Sequence, residues 1–273
     1  MTSSKELKKI VKDKYGSIAR KSDGTTNGWG CGCPCAGKEE GSWSVDLAYQ
    51  GTDGYIPEAD LNLGCGLPVK YAGIEPGHVV VDLGSGAGND VFIARKLVGV
   101  SGRVIGIDMT PEMIDKARRN NAKIGYANVE FRLGDIEDLP TETDSADVVV
   151  SNCVLNLVPN KARAFSEIFR VLKPGGHFCI SDIVLHGKLP EKLKKVAEMY
   201  TGCVSGAQQE NEYMRNIRNA GFVKIEVKES KRIVLPDDVL KGSLDDAEIA
   251  LIRTNGFQVL SVTVTGNKPG SKS

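Results

Sequence analysis

Three cysteines sit in contexts that suit chemistry as well as packing. Cys65 lies between glycines in "LNLGCGLP", Cys153 in "VSNCVLN" and Cys203 in "YTGCVSGA". Taken singly, each reads as a small buried hydrophobe, the ordinary fate of a thiol that makes no disulfide. As thiolates they would be soft ligands for a soft centre. Cys31, Cys33 and Cys35 crowd into "CGCPC", tighter than the roughly two to four intervening residues of a usual zinc knuckle. Cys179 falls inside the apolar run "HFCIS" and reads as core. Seven cysteines is an odd number, and in a reducing compartment thiols point to metal or catalytic use over disulfide staples.

A second constellation surrounds "VVVDLGSGAGND". Gly84, Gly86 and Gly88 allow a tight turn and a close approach of backbone to a ligand; a structural turn would use them equally well. A dinucleotide fingerprint needs glycine at position 89, where Asn89 stands. With Asp82 in the strand, the pattern suits S-adenosylmethionine better than NAD, because that cofactor has a charged amino-acid tail and a ribose but no pyrophosphate. Asp108 ends "VIGID", 26 residues after Asp82, where a carboxylate can accept from both ribose hydroxyls. In "LGDIEDLP", Asp135 can accept from an adenine amino group and Ile136 can pack on the ring. The expected cofactor set is Asp82, Gly84, Ser85, Gly86, Asn89, Asp108, Met109, Asp135, Ile136 and Ser151. Transfer to oxygen, nitrogen or carbon usually needs a general base, and none is obvious. His78 and His177 precede strands, at the wrong end of the sheet; only His186, after the fifth strand, is placed to serve.

The elements that must position these groups alternate. "HVVVDLG", "GRVIGID", "NVEFRLGD", "ADVVVSN" and "HFCISDIV" read as five strands. Between them, "NDVFIARKLVG", "TPEMIDKARRNNAKIG" and "NKARAFSEIFRVLKPGG" have helical spacing. Thr110 and Pro111 open the second helix, Gly125 closes it, and Pro174-Gly175-Gly176 closes the third. Such alternation predicts an α/β fold with a doubly wound, Rossmann-like parallel sheet. "VKIEVKESKRIV" and "FQVLSVTVTGN" add edge strands. The chain divides into an N-terminal helix and Cys-rich loop (1–60), a cofactor-binding core (61–188), and lid helices with the strands that complete the sheet (189–273). Residues 1–22 form an amphipathic helix whose apolar face includes Leu7 and Ile10.

Lys+Arg and Asp+Glu both total 35, which gives no broad electrostatic reason to bind nucleic acid or an anionic membrane. The N-terminus lacks a signal-peptide core and no apolar run is long enough to span a bilayer, so a cytoplasmic location is expected.

In order, "VVVDLGSGAG", "GIDMT", "GDIEDLP" and "VLKPGG" resemble the class I S-adenosylmethionine-dependent methyltransferases over about residues 70–265. That resemblance implies a seven-stranded sheet whose last strand is antiparallel. "LGCGLP", "SNCVLNLVP" and "GCVSGA", together with "VKDKYGSIA" and "GYIPEADLNLG", resemble the arsenite methyltransferases. The family carries a cysteine in each of the three contexts, which implies that Cys65, Cys153 and Cys203 bind trivalent arsenic, as arsenite or methylarsenite. Three thiolates leave arsenic one lone pair, the nucleophile for the sulfonium methyl, and no proton need be removed. The resemblance also implies a thiol reductant of thioredoxin or glutathione type as co-substrate and a C-terminal substrate lid. It leaves Cys31, Cys33 and Cys35 between a relay or redox role, an accessory metal site and no function. Two other readings stand beside it: a class I methyltransferase acting on a quinone or other small molecule, and a thiol-based metalloid-binding protein.

Overall fold

The computed structural model describes residues 4–22, 49, 51–187, 206–233, 241, 245–247, 249–250 and 256–271. Seven strands form one sheet in the order β3-β2-β1-β4-β5-β7-β6. They are β1 (Val79–Leu83), β2 (Arg103–Asp108), β3 (Val129–Leu133), β4 (Ala146–Asn152), β5 (Leu172–His186), β6 (Val223–Ile233) and β7 (Gln258–Asn267). The first five are parallel, and β7 runs antiparallel between β5 and β6. This is the expected sheet, with the order reversing between β1 and β4, where a doubly wound fold opens its ligand crevice.

Side-chain alternation assigns the two faces. Val81 and Leu83 of β1 join Ile105, Phe165, Phe178 and Phe222 in one core. Val80 joins Phe92, Val104, Phe131 and Val148 in the other. Each fully buried side chain of this size contributes about 1.5–3 kcal/mol, so a one-residue slip in β1 would be costly on both faces. Asp82 shares Val80's face and cannot join an apolar cluster, so it is aimed where the helix after β1 begins.

The helices are α1 (Ser4–Lys21), α2 (Pro68–Tyr71), α3 (Asn89–Val98), α4 (Pro111–Ile124), α5 (Lys161–Val171) and α6 (Glu210–Asn219). Thr110 flanks α4 with Pro111 at its first position, and Gly125 closes it in a left-handed conformation, as the sequence predicts. Asn160 caps α5 by accepting from Arg163 N–H. Two local expectations are corrected. Helix α5 ends at Val171, and Pro174-Gly175-Gly176 lies within β5, at the register shift between the pairs Ala146–Leu172 and Val148–His177. In α1 the inward stripe is Val11, Gly16 and Ala19, while Ile10 is 58% exposed. The helix packs on α4, and Gly16 lets it approach the Glu112 carboxylate.

Candidate active site

The cofactor edge is built by the ends of β1 and β2. Gly84 N–H and Ser85 N–H both donate to the Ile107 carbonyl, at 2.7 and 3.0 Å, folding the turn back onto β2. Gly86 N–H and Thr110 N–H then donate to the two oxygens of Asp108, at 3.0 and 2.8 Å. Asp108 is therefore oriented by backbone donors from both connecting loops. Asp82, Gly84, Ser85, Gly86, Asn89, Asp108, Met109, Asp135 and Ile136 all line one cavity. Ser151 does not. It is wholly buried in β4, and its hydroxyl donates to the Leu83 carbonyl at 3.0 Å, tying β4 to β1. Side chains alternate along β4, so Ser151 points to the opposite face of the sheet from Asn152, which reaches the cavity.

Three carboxylates converge there. Burial, then the neighbouring charges of Asp90 and Asp108, push Asp82 well above the usual carboxylate range. Burial raises Asp90 to about 6, against hydrogen bonds from Tyr49 and Asn152 that favour its charged form. Burial also raises Asp108, opposed by the N–H groups of Thr110 and Gly86. Such a cluster is expensive without a cation and suits a positively charged ligand.

Asp135 is already engaged. Lys8 of α1 donates to Asp135 Oδ2 and to Glu137 Oε2, both at 2.6 Å, and Asp135 Oδ1 accepts Glu137 N–H at 3.0 Å. Lys8, Val11 and Tyr15 thus bring α1 to the cavity wall.

The thiol edge lies beside it. Cys153 follows β4 with φ 60°, lines the cavity, and its N–H donates to the Ser181 carbonyl at 2.8 Å. The Cys65 loop lies against the end of β4 and against Ser181 and Ser261 within β5 and β7. Asn152 Oδ1 accepts from Cys65 N–H at 3.0 Å and Gly66 N–H at 3.3 Å, and Ser261 Oγ donates to the Cys65 carbonyl at 2.6 Å. The flanking glycines are explained by these contacts. A Cβ on Gly64 would stand 2.7 Å from Asn152 Nδ2, and one on Gly66 2.5 Å from Ser181 Oγ. The glycines bring this backbone against Asn152 and Ser181, and Gly64 also lines the cavity. The N–H groups of residues 65 and 66 both donate to Asn152 Oδ1.

Cys65 and Cys153 are both buried and neither is in a disulfide. Tyr213 of α6 lies within their electrostatic reach: burial, then Asp182, then these two cysteines hold its hydroxyl well above the usual tyrosine range. Tyr213 donates to Asp182 Oδ2 at 3.2 Å, and burial raises Asp182 to about 7. Cys179 is core, its thiol pushed up to about 12 by burial. Cys203, Cys31, Cys33 and Cys35 lie outside the described residues.

None of the three histidines lines the cavity. His78 accepts from Glu75 N–H, His177 meets the Ala72 carbonyl, and His186 faces Glu210. Residues that sequence reading passed over are Tyr49, Asp90, Asn152, Lys8 and Tyr213. Asp90 and Asn152 had a local signal, each adjoining a motif residue. Tyr49, Lys8 and Tyr213 had none, because they arrive from distant elements.

Comparison with known proteins places this geometry. Residues 74–221 match the methyltransferase domain family. An arsenite methyltransferase of Halobacterium salinarum is 40% identical over 278 residues, covering 97% of this chain and 67% of that protein. The chain belongs to the arsenite methyltransferase family. Another member, from Aquipseudomonas alcaligenes, is 39% identical over 67% of this chain and 55% of its own length. The crystal structure of CrArsM, an arsenic(III) S-adenosylmethionine methyltransferase from Chlamydomonas reinhardtii, superposes with a TM-score of 0.65 at 35% identity, covering 77% of this chain and 69% of that one. The chain thus spans from about half to two-thirds of the length of these family members. Among the described residues, no helix is long and apolar enough to cross a membrane.

Proposed function

We propose that this protein methylates trivalent arsenic with S-adenosylmethionine. The observation that carries this reading is that Cys153 lines the same cavity as Asp82, Asp90 and Asp108, with the Cys65 loop tied to that wall through Asn152. Soft thiols for a soft acceptor adjoin a site with excess negative charge for a cationic donor.

The residues fit the cofactor. Ser85 Oγ and Asn89 Oδ1 are buried at the cavity wall with no hydrogen-bond partner among the described residues, and such orphans call for a polar ligand. Asp108 would hold the ribose, Ile136 the adenine face, and Asp82 with Asp90 the cationic end. S-adenosylmethionine, when bound, supplies an electrophilic methyl group on a sulfonium.

Cys65, Cys153 and Cys203 together would hold arsenite or methylarsenite as a pyramidal trithiolate. The lone pair remaining on arsenic is the nucleophile. No proton leaves it at transfer, which agrees with a cavity lined by no histidine. The protein's contribution is orientation, which can lower a barrier by up to about 7–11 kcal/mol. A thiol reductant of thioredoxin or glutathione type returns the oxidised product to the trivalent state, and a cytoplasmic setting keeps the thiols reduced.

The test mixes purified protein, labelled S-adenosylmethionine, a thiol reductant and arsenite. Label on arsenic is expected. Its absence overturns the reading, and arsenite binding without transfer identifies a sequestering protein instead. Cys153→Ser and Cys203→Ser are each expected to abolish transfer.

A further inference from the structure

We propose that Asn152 is the positioning residue of the thiol site: its carboxamide sets the Cys65 loop against Cys153 and ties that loop to the cofactor wall. This rests on the reading of these cysteines as the arsenic ligands. Asn152 immediately precedes Cys153, so whatever its side chain grips is brought to that thiol. It grips both sides of the Cys65–Gly66 segment. Oδ1 accepts from Cys65 N–H and Gly66 N–H, at 3.0 and 3.3 Å, and Nδ2 donates to the Gly66 carbonyl at 2.8 Å.

The same amide faces the cofactor. Nδ2 also donates to the Tyr49 hydroxyl and lies 3.3 Å from Asp90 Oδ2, while Tyr49 donates to Asp90 at 3.0 Å. Turning the amide over would aim Nδ2 at two N–H donors, so the network admits one orientation. Few side chains can do this. Aspartate keeps the acceptor but loses the donor and sets a second carboxylate beside Asp90. Leucine loses both. The segment's other ties, Ser261 Oγ to the Cys65 carbonyl at 2.6 Å and the Tyr49 hydroxyl to the Gly66 carbonyl at 3.4 Å, reach its carbonyls and leave both N–H groups to Asn152.

The experiment measures the two thiols directly. Full-length protein is treated with dibromobimane, which bridges neighbouring thiols, and the Cys65–Cys153 adduct is followed by peptide mass spectrometry. Arsenite titration, read by ultraviolet absorbance of the arsenic–sulfur bonds, runs in parallel. Asn152→Leu is expected to slow bridging and weaken arsenite binding by about tenfold or more, the scale of losing several net hydrogen bonds. Asn152→Asp is expected to fall between that variant and the parent. Tyr49→Phe, which keeps the carboxamide but frees one end of it, covers the event that Asn152→Leu does not fold, and is expected to slow bridging about threefold. A purely architectural Asn152 would lower the melting temperature and leave the bridging rate of folded protein unchanged; that result overturns the inference. Failure of the parent to bridge Cys65 to Cys153 also overturns it. If the parent bridges, the variants slow as stated and no arsenic is methylated, the substrate reading falls and the positioning role stands.

Discussion

Cys153 is held at the end of β4 by Ser181, whose carbonyl accepts the Cys153 N–H at 2.8 Å while Cys153 keeps φ at 60°. A residue with a Cβ pays about 1–2 kcal/mol for that left-handed conformation. Strain of this kind persists where surrounding structure fixes it and function uses it. Cys153→Gly is therefore expected to be more stable than Cys153→Ala by about 1 kcal/mol in urea unfolding, the reverse of their order in a regular strand. Both should lose transfer to arsenite. If the alanine variant proves the more stable, the backbone account of Cys153 is wrong.

Gly66 carries a similar demand from outside its own backbone. An added Cβ would lie 2.5 Å from Ser181 Oγ and 2.7 Å from Ser181 Cβ. Gly66→Ala is expected to cost about 1–3 kcal/mol, the usual scale of overpacking. Because the Cβ itself is in the way, adding Ser181→Ala should not restore stability. Thermal melts of the single and double variants check this, and rescue by Ser181→Ala would locate the clash wrongly.

The acid cluster sets a pH dependence. Burial places Asp90 at about 6 in the fold, above its ordinary value of about 3.9. The stability gained by holding that proton is complete below about pH 4 and is lost as pH rises through about 6. The ligand-free protein should therefore melt lower at neutral pH than at mildly acidic pH. A cationic ligand favours the charged acids, so affinity for S-adenosylmethionine should rise over the same interval. S-adenosylhomocysteine lacks the sulfonium charge and should change less. Calorimetric titrations across that range decide it, and Asp90→Asn should flatten both trends.

Asp182 offers a second titration away from the cavity wall. It is fully buried, accepts from Tyr213 and Ile183 N–H, and is raised by burial to about 7. Its sign is the same: stability falls as pH rises through about 7. Asn at this position keeps an oxygen to accept the Ile183 N–H, can donate its amide to the Tyr213 hydroxyl in place of accepting from it, and never ionises. Asp182→Asn should match the parent below about pH 4, gain on it as pH rises toward about 7, and keep a constant margin above that in thermal melts.

The parallel strands, their order of appearance and the glycine turn were legible in the chain, because local apolar runs and turn residues fix them at short range. So was the antiparallel last strand, through family motifs, and nine of the ten residues expected around the cofactor line one cavity. Ser151 shows the limit: a one-residue step along β4 turns a side chain from the cavity to the sheet interior, and no motif records the register at that resolution. The glycines beside Cys65 show another. Their crowding neighbours are Asn152, 88 residues on from Gly64, and Ser181, 115 residues on from Gly66. Sequence alone determined which atoms are available, soft thiols and acidic side chains in one α/β chain. Only the tertiary structure decided that Asn152 faces both the Cys65 loop and Asp90, because contacts between distant segments are set by how the sheet ends pack and not by any local pattern.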